Sequence, residues 1–261
     1  MTTESKELNL AFWNSVERTD PAFTQQVKQG SYEYTSIDSY YLVKKATEAW
    51  GPIGVGWGYD IVESRFDDGP VVKIVGEAGG AMIPVSLVLH SAKIRLWYKR
   101  GEETAHVEHF GHTEFISMTK WGPRMDAEAP KKSVTDGLKK CLSMVGFSAD
   151  VYMDMFSDQN YFEESQDIAD LQKADNRVEE KQKQIDAFDK WFQDHYNTVA
   201  SAASMHELEV VYKIVVRKLA YRREDAKIKE ITRIKDKRKA ELGKMKKTKE
   251  TEAARKAGKE V

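Results

Sequence analysis

The residues best suited to chemistry are cations set beside aromatic rings. Along the run Met82–Tyr98 and just past it, Lys93, Arg95, Trp97 and Lys99 recur at every second position. On a strand this spacing places all four on one face, with Ala92, Ile94, Leu96 and Tyr98 on the other. Cations track phosphates and a tryptophan offers a stacking platform, so the row suits single-stranded nucleic acid. The plainer reading is a solvated sheet face whose tryptophan is covered by another element. A second set, Lys132, Lys139 and Lys140, lies in a segment of helical spacing. There Val134, Leu138, Cys141, Leu142 and Val145 form one apolar stripe, Lys132 and Lys139 project from the opposite side, and Lys140 projects from the flank. The plainer reading here is a surface helix that keeps its lysines for solubility.

Other constellations are weaker. His106, His109 and His112 suggest a metal cluster, but on a strand His106 and His112 share a face with Glu108 and Glu114 while His109 points away. The glycine-rich Gly51-Pro-Ile-Gly-Val-Gly-Trp-Gly leads from a helix into a strand, whereas phosphate-cradling loops run from strand to helix. Close strand packing or a bulge explains those glycines better. Cys141 sits on the apolar stripe and reads as a buried structural thiol. No Ser/His/Asp set or carboxylate pair stands out, so the expectation is a protein that is not an enzyme, without cofactor or metal.

The elements that must position these residues follow from local signals. A helix is expected over about Ser39–Trp50, capped by Asp38 or Ser39, with Leu42, Val43, Ala46 and Ala49/Trp50 on its apolar face and Gly51-Pro52 as its stop. Strand-like runs follow at Ile53–Glu63, Val71–Glu77, Met82–Tyr98 and Thr104–Phe115. Asp67-Asp68-Gly69-Pro70 and Lys99-Arg100-Gly101-Glu102 have the composition of hairpin turns. A second helix is expected over about Pro130–Val145, stopped by Gly146. Gly137 inside it costs up to about 1 kcal/mol relative to alanine, which close backbone packing would offset. The fold class is therefore α+β: a helix, an antiparallel β-meander (a β-β-β-α core), and a helical, partly disordered C-terminal region.

Residues 173–241 read as helices carrying Ile185, Phe188, Trp191, Phe192, Leu208, Val211, Ile214, Val215 and Leu219. The expected division is a core domain over 1–165, a charged helical region over 166–241, and a disordered basic tail over 242–261. Charge divides the chain similarly. The 261 residues hold 41 Lys+Arg against 42 Asp+Glu, yet residues 150–195 carry a net −8 and residues 222–261 a net +8. The near-neutral total is thus a cancellation between blocks, and it does not exclude a polyanionic partner. One cysteine excludes an intramolecular disulfide and a multi-cysteine zinc site. No apolar run reaches the ~18 residues that span a bilayer, and the start MTTESKELNL lacks a signal-peptide pattern. A cytoplasmic protein without membrane association is expected.

The stretch Ser133-Val-Thr-Asp-Gly-Leu-Lys-Lys-Cys-Leu-Ser-Met-Val-Gly146 resembles the signature helix of the Rad-fifty-two superfamily of single-strand annealing proteins, which includes phage recombinases of the essential-recombination-function (Erf) type. Ala46–Trp50 with Gly51, then Gly56-Trp57, resemble the family's first helix and its entry into the sheet, and Ala149-Asp-Val-Tyr152 extends the likeness forwards. The resemblance covers roughly residues 30–162, by pattern rather than motif between the two helices. It implies a β-β-β-α core, assembly into rings or filaments, and single-stranded DNA held in an outer basic groove with its backbone inward and bases exposed. Lys139 and Lys140 match the two groove-lining basic residues. The family's basic residue on the first helix falls at Tyr41, with Lys44 and Lys45 a turn later.

The expected function is ATP-independent binding and annealing of complementary DNA strands in homologous recombination. The expected partners are single-stranded DNA, the duplex intermediate, further copies of the chain, and an exonuclease and a single-strand-binding protein. If the chain is phage-encoded, the compartment is the bacterial host cytoplasm. Candidate DNA-binding residues are Lys139, Lys140, Lys132, Lys93, Arg95, Trp97, Lys99, Lys44 and Lys45. Two alternatives stand beside this reading: a helical scaffold working through residues 173–241, and a metal-dependent nuclease using His106, Glu108, His112 and Glu114.

Overall fold

A computed structural model describes residues 3–75 and 82–257 of the chain. It divides into two compact units, Met1–Ser165 and Gln166–Val261.

The first unit is α+β. It opens with α1 (Thr3–Val16) and a single 3-10 turn, Pro21–Phe23, and continues into a hairpin of β1 (Thr24–Gln29) and β2 (Tyr32–Ile37) that forms its own two-stranded sheet. Next comes α2 (Ser39–Trp50). Its start is fixed by the Asp38 carboxylate, which accepts hydrogen bonds from the amides of Tyr40 and Tyr41, and its end by Gly51 at φ +89°. Leu42 and Ala46 on its inner face are fully buried, and Trp50 stacks on Tyr98 with centroids 4.4 Å apart.

The central sheet is an antiparallel meander in the order β3 (Trp57–Val75), β4 (Met82–Arg100), β5 (Glu103–Thr119) and β6 (Gly122–Met125). The β4–β5 hairpin closes at Gly101, whose φ of +64° suits a tight turn. The hairpin expected at Asp67–Pro70 does not form. There β3 runs on as one strand with a register shift between Asp68 and Val71. The physical reason lies in position. Among the described residues β3 is the sheet's outer strand, where a proline's missing N–H breaks no ladder bond and a bulge absorbs the irregularity. Residues 76 and 77, the end of the strand expected over Val71–Glu77, lie outside the described residues.

Helix α3 (Ala129–Met144) lies across β4 and β5. Ala92, Ile94 and Leu96 on the strand and Leu138, Cys141 and Leu142 on the helix share one core. Gly137 makes the close approach possible, since a Cβ there would sit 2.7 Å from the Ile94 side chain, and opposite it a Cβ on Gly111 would run into the helix backbone at Ser133 and Gly137. The Cys141 sulfur is buried 3.6 Å from the carbonyl oxygens of Ile94 and Val107, and burial pushes its thiol pKa up. The short α4 (Ala149–Tyr152), a 3-10 turn (Met155–Ser157) and α5 (Gln159–Lys173) follow.

In the second unit α6 (Arg177–Ser201), α7 (Met205–Tyr221) and α8 (Asp225–Ala257) pack around Phe192, Val199, Leu208, Val215, Leu219, Ile231 and Leu242. Asn176 and Ser204 cap α6 and α7. Ile185 and Ile214, two of the apolar residues expected to mark this region, are exposed. The tail expected to be disordered from residue 242 continues α8 to Ala257. Its Ala, Glu, Lys and Met content favours helix once the packed first half has nucleated it. Residues 258–261 lie outside the described residues. None of the described helices is long and apolar enough to cross a membrane.

Candidate nucleic-acid interface

The last turns of α3 place Lys139 and Lys140 on a groove of about 390 Å³, walled by β2, α3 and α4 and lined in part by Tyr32, Tyr34, Asp136 and Tyr152. The Lys139 ammonium donates to the backbone carbonyl of Ile37 at 2.8 Å. Burial lowers its pKa and the neighbouring Lys140 charge lowers it further, against the opposing pull of Asp136 and Asp38. Lys140 Nζ stands 5.1 Å from the centroid of the Tyr152 ring. On the β2 wall Tyr32 and Tyr34 alternate onto one face and stack, with centroids 5.7 Å apart and planes 23° from parallel. Asp136, an acid in the groove, has its carboxylate 3.3 Å from the amide nitrogen of His112, which donates to it.

Each wall is held by local chemistry. Gly30 at φ +63° turns the hairpin, and Ile37 at the end of β2 is buried in the core. The α4 wall depends on Asp150. This carboxylate is fully buried and accepts from the Thr19 amide at 2.7 Å, the Thr19 hydroxyl at 2.6 Å and the Tyr161 hydroxyl at 3.0 Å. The hydroxyl of Tyr152, two residues on, is raised well above the usual range by burial and by the nearby Asp136 charge. On its other side Lys139 borders a separate, apolar hollow of about 250 Å³ formed by Tyr40, Val43, Ile53, Tyr59, Leu138 and Leu142 with their neighbours.

The strand cations lie elsewhere. Ala92, Ile94 and Leu96 are buried under α3, so Lys93, Arg95, Trp97 and Lys99 occupy the far face of the sheet. The structure does not bring them together with Lys139 and Lys140. Lys93 and Arg95 converge instead on a single carboxylate, that of Glu108, at 2.5 and 2.6 Å, and hold its pKa below the usual carboxylate range. Trp97 lies over Gly58, where a Cβ would come within 2.6 Å of its ring. Arg65 on the same face is paired with Glu63 and Asp67. Lys99 is exposed at the end of the strand.

Three further candidates are separate again. Lys132, near the other end of α3, pairs with Asp126 at 2.6 Å. Lys44 is exposed and 3.7 Å from Glu48. Lys45 turns inward: its ammonium donates to the carbonyls of Val16 and Arg18 at 2.5 and 2.6 Å, and burial brings its pKa down to about 8. Tyr41, where the sequence resemblance would set a basic residue on the first helix, is enclosed by Phe23 at 4.4 Å on its ring and by Lys45 Nζ 5.6 Å from its centroid. Its hydroxyl accepts the Asp20 amide.

Among the described residues no group of three His, Cys, Asp or Glu is placed to hold a metal ion. His109 Nδ1 is 2.7 Å from the Phe110 carbonyl, and His112 Nδ1 is 3.0 Å from the Ser91 hydroxyl. Ser91 in turn donates to Asp67 at 2.5 Å and is itself buried. The serine stands between the acid and the histidine, with no face open to a substrate. Tyr32, Tyr34, Asp136 and Tyr152 are among the groove residues that sequence reasoning missed. The signal for the first two was the period-two Tyr-Glu-Tyr after a glycine turn. Comparison with protein-family models finds no match, and neither does comparison with curated proteins.

Proposed function

We propose that the chain binds single-stranded DNA in the groove between β2, α3 and α4 and anneals complementary strands without nucleotide hydrolysis or covalent chemistry. The reading places it with the Rad-fifty-two superfamily, acting as a homo-oligomer in the cytoplasm alongside an exonuclease and a single-strand-binding protein. The observation that carries it is the convergence of Lys139 and Lys140, the two signature-helix cations, on one aromatic-walled groove. Two adjacent ammonium groups neutralise neighbouring phosphates and release their counterions, so affinity falls steeply with salt. Base pairing with the second strand supplies the specificity, and the protein supplies alignment and charge neutralisation. The salt bridges on the far sheet face argue against that face as the main DNA track, because Lys93 and Arg95 share Glu108, which holds both side chains and leaves one net positive charge there.

The test is annealing of complementary oligonucleotides in the absence of nucleotide, followed by fluorescence transfer. Acceleration by the native chain, lost when Lys139 and Lys140 are both replaced by alanine, is the expected result. Annealing at the uncatalysed rate with the native chain overturns the reading.

A further inference from the structure

We infer that the stacked pair Tyr32–Tyr34 is a base-binding subsite, so that an unpaired base turns inward against the hairpin while the phosphates run along Lys139 and Lys140. This inference rests on the groove being the DNA site. It departs from the arrangement that the family resemblance implies, in which the bases point outward.

The argument begins with the division of chemistry between the walls. The α3 wall presents the two ammonium groups, and the β2 wall presents two phenol rings on one face of a strand. Tyr34 supports Tyr32 from one side, and Tyr32 remains 67% exposed, the larger exposure of the two. A large aromatic surface left this open is unexplained by the core, because the ring belongs to none of the packed residues around Ile37. The two strands of the hairpin hold the rings in register through Gln29↔Tyr32 and Val27↔Tyr34. Asp136, the acid of the α3 wall, is turned to the sheet amide of His112. Phosphate contacts and base contacts therefore have separate, facing surfaces, as in sites where a backbone follows cations and bases stack on rings.

This division also selects the substrate. In a duplex the base faces are stacked on one another and only base edges and the backbone are exposed, so the tyrosine wall finds no base face to stack on. In a single strand a base can leave its neighbours and stack on Tyr32. The same contact is released when a complementary strand claims that base, because pairing and restacking in the new duplex replace it.

The experiment compares two oligo-dT strands of equal length with the full-length native chain. One carries bases throughout with a single 2-aminopurine, and the other is abasic. The expected result is roughly tenfold tighter binding of the base-bearing strand, within the range for stacking on one aromatic platform, with a change in 2-aminopurine fluorescence. The double variant Tyr32→Leu with Tyr34→Leu loses that preference and keeps the abasic affinity, and Tyr32→Phe with Tyr34→Phe keeps the preference. Equal affinity of the native chain for both strands overturns the subsite and leaves the groove as a phosphate track. Loss of preference in the phenylalanine variant also overturns stacking, because the rings are still present. Failure of the native chain to bind either strand overturns the groove reading itself.

Discussion

The ammonium of Lys139 donates to the carbonyl of Ile37 across 102 residues of sequence, tying the last turns of α3 to the end of β2. One lysine therefore closes the groove and charges it. Its neighbour Lys140 meets the α4 wall at the Tyr152 ring, with its ammonium 5.1 Å from the ring centroid.

These two roles separate by mutation. Lys140→Ala should lower single-strand affinity and reduce the slope of log affinity against log salt by about one, with stability within about 0.5 kcal/mol of native. Lys139→Ala should lower the affinity similarly and cost about 1 kcal/mol in addition, because the Ile37 carbonyl loses its donor. Filter binding across a salt series and urea denaturation measure the two effects. Lys93→Ala with Arg95→Ala should change the slope less than Lys139→Ala with Lys140→Ala. The opposite order would move the DNA track to the far sheet face.

Asp150→Ala should be among the most damaging single substitutions, costing about 3 kcal/mol or more. It leaves the Thr19 amide and hydroxyl and the Tyr161 hydroxyl buried without an acceptor. Asp150→Asn, which keeps an acceptor oxygen, should lie between the two. Equilibrium unfolding of the three chains checks the order.

Lys45 makes stability depend on pH in the alkaline range. Its pKa is about 8 when folded and 10.5 when unfolded, so between these values the unfolded chain holds more protons. The unfolding free energy therefore rises as pH goes from about 8 towards 10.5, by at most about 3 kcal/mol, and is flat with respect to this group below pH 8. Tyr41 acts in the opposite sense at higher pH. Its pKa is pushed up to about 12, so stability is lost as pH climbs from 10 through 12. Lys45→Met should remove the rise between pH 8 and 10. Urea midpoints at pH 7.5, 9 and 10 in both chains test the sign, and an unchanged slope in the variant would assign it to other groups.

Gly137→Ala should destabilise the first unit even though alanine is the better helix former. The gain in propensity is up to about 1 kcal/mol, while pressing a methyl against Ile94 and the Gly111 amide costs about 1–3 kcal/mol. Thermal melting measures the difference, and a raised midpoint would mean that helix and sheet separate freely at this point.

The two helices that frame the core were legible because their signals are local: Asp38 and Gly51 bound α2, and one apolar stripe defines α3. The turn expected at Asp67–Pro70 was equally local in its composition and was overridden by pairing across the sheet, where Val71 finds Ser86. Lys139 and Lys140 were legible from the helix, but the wall they face was not, because β2 lies about a hundred residues earlier. Lys45 shows the remaining limit. Spacing places a lysine on a helix, but only the carbonyls of Val16 and Arg18 decide that it turns inward.

The irregularity at Gly69-Pro70 has a consequence for the life of the protein in solution. Among the described residues β3 runs for nineteen residues at the rim of its sheet, and a strand in that place is a template on which other extended chains can grow. Register shifts at Ile61/Glu63 and at Asp68/Val71 divide the strand into three shorter tracts, and Pro70 withholds a donor at the second break. A foreign segment that pairs with one tract falls out of step at the next, so fibrillar growth along this rim is interrupted, at one break by Gly69-Pro70 of the segment whose composition suggests a turn.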